Sequence, residues 1–284
     1  MEENGRFKAA KARHPEHFKI SEMVINQLVK WLHRKDIPMP QTALGIVKFA
    51  SIVRAFNLYK SINILLENDH WEDAAVLSRS LFELLLNLEE VIRDKETAEE
   101  KAKKYFKFRL LQNYVQTINL EQYEIQTGRA PNEQALKLKE MENVARSVFA
   151  EFIRKDKKSE WERSWCGKSA YKLASDSTNR MRTSQYKLLY SMFSDISHSS
   201  PYSTQITMSL GFTPKETKML MQGRENYERE HMTLVLSVST TWLLEILSIA
   251  GSEIPLYDIK WNFEVLSKIF RIYGVEPPKL PDSL

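Results

Sequence analysis

Between Trp71 and Arg93 the apolar residues Ala74, Leu77, Leu81, Leu84, Leu85, Leu88 and Ile92 recur every three or four positions. At a helical repeat these residues fall on a single stripe, which fits a helix that buries one face and fits no strand. The same spacing returns elsewhere: Ile20, Met23, Val24, Leu28, Trp31 and Leu32 mark a helix over 18–35, and Met232–Ala250 reads as a buried central one. Alternation of period two is scarce, and only Tyr202–Leu210 has the pattern of a strand. With Gly 8 and Pro 10 in 284 residues, the chain also lacks the turn residues that sandwiches, barrels and Rossmann folds consume. These features predict an all-α, multi-helix bundle.

Breaks along the chain place the remaining elements. Residues 1–17 are basic and weakly patterned, and His14-Pro15 reads as an interruption, so this stretch is expected to be a loosely held arm. Residues 18–284 read as one helical domain, with a subdivision near 130–160 as an alternative. Pro38 and Pro40 separate the first helix from a second over 41–68, and Asn68-Asp69-His70 is short enough to bring the next helix back alongside it. Thr97 and Glu100 fit a capping box ahead of a long charged helix to about Gly128. A further helix is expected from Pro131 to about Lys158, and another from Ser184 to His198. A long functional loop is expected over 201–223, where Pro201, Gly211, Pro214 and Gly223 cluster.

Charge and motif content exclude several chemistries. The formal net charge is +4, far from that of a histone-like chain, and general disorder does not fit 43% hydrophobic residues. One cysteine, Cys166, forms no internal disulfide, and the charged N-terminus has no secretory signal pattern, so the cytoplasm is the expected compartment. Met232–Ala250 is long enough to span a bilayer, yet it carries Glu245 and several hydroxyl residues. A buried core helix is therefore expected, with no membrane partner. No Walker loop, dinucleotide-binding glycine pattern, nucleophile elbow or zinc-finger spacing is present. Cys166 has no local histidine partner and reads as a packed thiol.

Two polar clusters stand out. Arg79 and Glu83 share a narrow strip flanked by Ala75, Phe82 and Leu86, and lie one helical turn apart. A guanidinium held by a carboxylate suits a phosphate or a developing anion, although the same pair is equally an ordinary ion pair. His198 closes the helix over 184–198, with Ser194 and Asp195 four and three residues before it on the same face. Histidine at such a place serves either as a helix cap or as a general acid or base near neutral pH.

These islands, Arg79-Ser80-Leu81-Phe82-Glu83, then Trp165 before Gly167-Lys168-Ser169, then Tyr190, Ser194 and His198 as Y-x3-S-x3-H, resemble a bacterial family of domains of unknown function, number 5677 in that series. The resemblance runs over roughly residues 45–250. It implies a cytosolic helical protein with a distantly HEPN-like core and additional helices. By further analogy it implies a toxin or phage-defence effector with metal-independent endoribonuclease activity and no cofactor, acting as a homodimer or with a partner protein. The superfamily's usual arginine just before the histidine is missing, because Lys187 is the nearest basic residue ahead of His198. The resemblance therefore assigns the anion-holding role to Arg79. A non-catalytic helical regulator that binds a protein, a nucleotide or RNA is the alternative.

Other groups bear on partners. Lys101 to Arg109 interleaves cations with aromatics, and Lys103, Lys104, Lys107 and Arg109, with Lys187, form the candidate RNA-binding set. Helical spacing also allows the aromatics to face inward while the lysines stay solvated. Asp195-x-x-His198 and Glu228-x-x-His231 carry a minor alternative, a di-metal carboxylate bundle, for which no clear fourth-helix glutamate is found. Trp261, Phe263 and Phe270 on the last helix are expected to form an apolar interface patch.

Overall fold

A computed structural model of the chain describes residues 9–34, 40–129, 134–157, 160–193, 214–251 and 258–277, with the side chains of the long helix 214–251 described from Glu230 onward. Ten α-helices occur among the described residues: α1 (Ala9–Arg13), α2 (Pro15–Leu32), α3 (Ala43–Glu67), α4 (Trp71–Ile92), α5 (Ala98–Gln126), α6 (Gln134–Val148), α7 (Ala170–Asp176), α8 (Arg182–Gln185), α9 (Pro214–Gly251) and α10 (Ile259–Ile272). A 3-10 turn follows α6 at Ala150–Phe152, and α8 runs directly into a π turn at Tyr186–Tyr190. Among the described residues the only β-type pairing is an isolated antiparallel bridge between Ile153 and Trp161. The protein is an all-α multi-helix bundle.

The centre consists of α3, α4 and α9, which pack most extensively on one another. Ile52, Ala55, Tyr59, Ile62 and Leu66 of α3 meet Ala74, Leu81, Phe82, Leu85 and Leu88 of α4, and Val235, Trp242, Leu243, Leu244 and Ile246 of α9 close the group. Phe82 and Trp242 pack with ring centroids 4.6 Å apart. Removing one such large side chain would cost about 3–5 kcal/mol through lost contacts and the cavity left behind. Val47 on α3 and Val91 on α4 belong to a second cluster, shared with Ala102, Phe108 and Leu111 of α5 and with Phe149, Phe152 and Trp165. The helix α4 therefore runs through both clusters.

The apolar face of α4 is broader than the seven-residue stripe. Phe82 and Leu86 are fully buried, whereas Leu77, Leu84 and Ile92 are only partly so. Neighbours on several sides remove most of its circumference from water, and several buried hydroxyls find partners. The Ser78 hydroxyl donates to the Ala74 carbonyl and lies 2.7 Å from the Ser239 hydroxyl of α9. On α3 the Tyr59 hydroxyl sits 2.7 Å from Thr240 Oγ1 and 2.8 Å from Ser21 Oγ, and Ser21 in turn bonds Asn63. Burial of the Tyr59 phenol pushes its pKa up despite these bonds.

Several boundaries depart from the sequence reading, and prolines open two of the helices. The expected interruption at His14-Pro15 falls between α1, which ends at Arg13, and α2, which Pro15 opens, whereas Pro214 opens α9 inside the expected 201–223 loop. The first turn has no intrahelical acceptor for its N–H groups, so proline loses nothing there. Residues 9–13 and 15–17 are helical and packed: Ala10 is buried in the main cluster, Arg13 bonds Asp69 at 2.5 Å, and Lys11 pairs with Glu22. Asp69 takes a positive φ of 60°, which aspartate tolerates, in the tight α3–α4 connection.

The Thr97–Glu100 capping box is not formed. Thr97 donates to Asp94 instead, and it is Glu99 that caps, across space, by accepting from the Ala43 and Leu44 N–H groups at the start of α3. The helix α6 ends at Val148, ten residues before the expected Lys158, and the chain leaves through the 3-10 turn that buries Phe152. Trp261 is not part of an exposed patch, because it packs edge-on against Trp31 at 5.0 Å. The expected strand at 202–210 lies outside the described residues.

Candidate functional site

Along one side of α4 the polar residues Arg79, Glu83, Asn87 and Glu90 follow one another at helical spacing, and the chain between Trp165 and Tyr190 docks on this strip. Arg79 Nε donates to Glu83 Oε1 at 3.3 Å, forming the expected turn-spaced pair. The Tyr190 hydroxyl donates to the same Glu83 oxygen at 2.7 Å, and the Arg79 guanidinium lies over the Tyr190 ring, 4.6 Å from its centroid. Burial, then the Glu83 carboxylate, pushes the Tyr190 phenol up to about 12, so it remains a donor at neutral pH. Tyr190 sits where α8 passes through its π turn, stacked on Tyr186 with centroids 4.7 Å apart and tilted against Phe82. Such turns place a side chain off the regular helical phase and occur often at functional positions.

Next along the strip, the indole N–H of Trp165 donates to Asn87 Oδ1 at 2.7 Å, and the Asn87 amide donates to the Glu83 carbonyl. Gly167 makes the following turn at φ +71°, a left-handed conformation that an L side chain resists, and Ser164 Oγ closes the turn onto the Lys168 carbonyl. Lys168 then reaches Glu90 at 2.9 Å and Asp176 at 3.2 Å. Burial pulls the Lys168 pKa down, but the two carboxylate bonds outweigh it and the net shift is upward. The Arg79, Trp165–Lys168 and Tyr190 islands thus converge on one strip of α4.

These groups border a cleft of about 840 Å³ between α4, α5 and the 154–170 segment. Its wall carries Arg109, Arg154, Lys157, Arg163 and Lys168 against Glu83, Asp156 and Glu162, so it is net basic. Arg154 is neutralised by Asp156 and Glu160, and Lys157 by Glu160. Arg109 bonds only the neutral Gln112 at 3.0 Å, and Arg163 has no hydrogen bond or ion pair to the described residues.

The candidate RNA-binding set divides. Lys103 pairs with Glu100 at 2.7 Å, Lys107 pairs with Glu151 at 2.6 Å, and Lys104 lies over the Phe152 ring. Lys187 is exposed on the π turn, away from the cleft wall, and Arg109 alone of the set lines the cleft. Phe108 faces inward, as the solvated-helix alternative anticipates. Ser194, Asp195 and His198 lie outside the described residues, four, five and eight positions beyond Tyr190 in the chain. Among the described residues no three histidine, cysteine or carboxylate side chains group to hold a metal, and His231 packs on the Trp71 ring at 5.1 Å. Glu230–Gly251 is long and apolar enough to cross a membrane, and 61% of its most apolar window is buried against the other helices.

A second ionic cluster escaped the sequence reading. Arg182 is 1% exposed. It reaches Glu89 at 2.6 Å and Glu245 at 2.5 Å, tying α4 and α9 to the start of α8. Burial raises the Glu245 pKa and Arg182 opposes that shift. The signal for this cluster was Glu245 itself: a lone carboxylate in an apolar run needs a buried cation.

Fold and site together define a helical-bundle protein whose central helix carries an arginine–glutamate pair closed by a tyrosine, the glutamate and the tyrosine lining a basic cleft. A model of the family of unknown function numbered 5677 (DUF5677) matches residues 46–211, and the chain belongs to that family. The matched segment contains every one of the sequence islands and ends before α9 and α10. No curated protein and no solved structure matches the chain.

Proposed function

We propose that this protein is a cytoplasmic RNA-cleaving effector of a toxin–antitoxin or phage-defence system, a distant relative of HEPN ribonucleases acting without a metal ion. One observation carries the reading: Arg79, Glu83 and Tyr190, from separate sequence islands, meet at the edge of a net basic cleft. Metal-independent RNA cleavage needs a base to take the proton from the ribose 2′-hydroxyl as its oxygen bonds to phosphorus. It also needs an acid to protonate the departing 5′-oxygen and a cation to hold the negative charge between these events. His198 has the chemistry for the proton transfers, aided by Ser194 and Asp195, and Arg79 for the charge. Glu83 and Tyr190 fix the guanidinium from two sides, and the high Tyr190 pKa makes that residue a positioning donor and not a base.

The test is expression in cells together with incubation of purified protein and RNA in chelator. Growth arrest and RNA cleavage, both lost in His198→Ala and in Arg79→Ala variants that still fold, are expected. Toxicity that survives His198→Ala would overturn the catalytic assignment.

A second reading, a non-catalytic helical partner that binds RNA, a nucleotide or a protein, is favoured by one specific observation. Arg79 is already neutralised by Glu83, and no arginine precedes His198 at the superfamily's spacing. Either reading works as a homodimer or with a partner chain, which light scattering tests directly.

A further inference from the structure

We infer that Arg109 and Arg163 form a phosphate-binding subsite in the cleft and that its ligand is a nucleotide. This deepens the proposed RNA chemistry by naming the group that the cleft grips, and it stands on different residues. The other basic groups on the wall are balanced: Arg154 and Lys157 by Asp156 and Glu160, Lys168 by Glu90 and Asp176. Arg109 has only the neutral Gln112, and Arg163 has no described partner, yet both line the same cavity. Two guanidinium forks offer more N–H donors than one carboxylate can accept, whereas a phosphate presents enough oxygens for both.

The rest of the wall suits a nucleoside. Tyr105, half-buried and edge-on to Trp165 at 5.6 Å, offers an aromatic surface to a base. Both bonds to Glu83 fall on Oε1, which leaves Oε2 without a described partner and able to accept from a ribose hydroxyl. The cleft volume of about 840 Å³ lies within the range that accepts a ligand of this size.

Isothermal titration with adenosine monophosphate, adenosine and inorganic phosphate tests the subsite. Adenosine monophosphate is expected to bind, adenosine to bind about tenfold more weakly or worse, and inorganic phosphate to compete. Arg109→Ala and Arg163→Ala, at unchanged melting temperature, are each expected to weaken the monophosphate about tenfold, with lysine at either position restoring part of the loss. Equal binding of adenosine and its monophosphate, or wild-type affinity in both alanine variants, would overturn the subsite. A short RNA with a 5′-hydroxyl and internal phosphates only identifies the source. Competition by it assigns the subsite to a strand, and its failure assigns the subsite to a free nucleotide or a phosphorylated end. A wild-type chain that binds the monophosphate but leaves RNA uncut would sink the ribonuclease reading alone. RNA cleavage by a chain that binds no monophosphate would sink this one alone.

Discussion

The Tyr190 hydroxyl and Glu83 are joined by a 2.7 Å hydrogen bond across 107 positions of sequence, and that bond fastens the π turn to the central helix. Tyr190→Phe removes the bond and keeps the ring beneath Arg79. It is expected to cost about 1 kcal/mol in urea denaturation, whereas Tyr190→Ala also loses buried ring contacts and is expected to cost about 3–5 kcal/mol.

The same phenol gives a pH signature. Its folded pKa, about 12, lies above the ordinary value of 10.0, so its contribution to stability is full below pH 10 and lost as pH rises towards 12. Between those values the wild type should lose more stability than Tyr190→Phe. Urea midpoints measured across that range would show the two curves converging, and parallel curves would refute the assignment.

Arg182 is costly to remove because its charge is buried between two carboxylates. Arg182→Met leaves Glu89 and Glu245 facing each other without their shared cation, and a loss of about 3–5 kcal/mol is expected in chemical denaturation. The raised Glu245 pKa adds a sign. Its carboxyl favours the folded state at pH below its ordinary 4.5, and that contribution fades as pH rises through the folded value. Glu245→Gln should therefore flatten the decline of stability above pH 4.5.

Glu99 and Glu100 are adjacent but should behave differently. Glu99→Ala frees two N–H groups at the start of α3 and is expected to cost about 1–2 kcal/mol. Glu100→Ala loses only an exposed pair with Lys103 and should stay within about 0.5 kcal/mol of wild type. Equal losses in thermal melts would argue for the capping box after all.

Gly167→Ala meets no atom within 4 Å, so any loss comes from the backbone alone. At φ +71° the expected cost is about 1–2 kcal/mol, and Gly167→Asn, which tolerates the left-handed region better, should cost less. Identical melting temperatures for the two variants would contradict this origin.

Helical periodicity made α4 and the Arg79–Glu83 pair legible, because both depend only on spacing within one element. What crossed between elements was not legible. Tyr190 was visible as part of a motif, but its bond to Glu83 depends on how α8 docks. Glu99 was one residue from the expected cap, yet its partners belong to α3. Pro214 was placed in a loop because proline breaks a helix interior, yet it suits a first turn, and the residue alone does not say which applies.

The π turn has a consequence for any comparison of this chain with its relatives. Five residues, Tyr186–Tyr190, share a turn that an α-helix would complete with one fewer, so the segment behaves as a one-residue insertion absorbed without a gap in the helix. The described residues that follow it, 191–193, are rotated by about 100° from the phase that counting from Arg182 would give. Phe193, three residues beyond Tyr190, is fully buried. A relative one residue shorter here would align cleanly on either side while presenting the next residue along to the core.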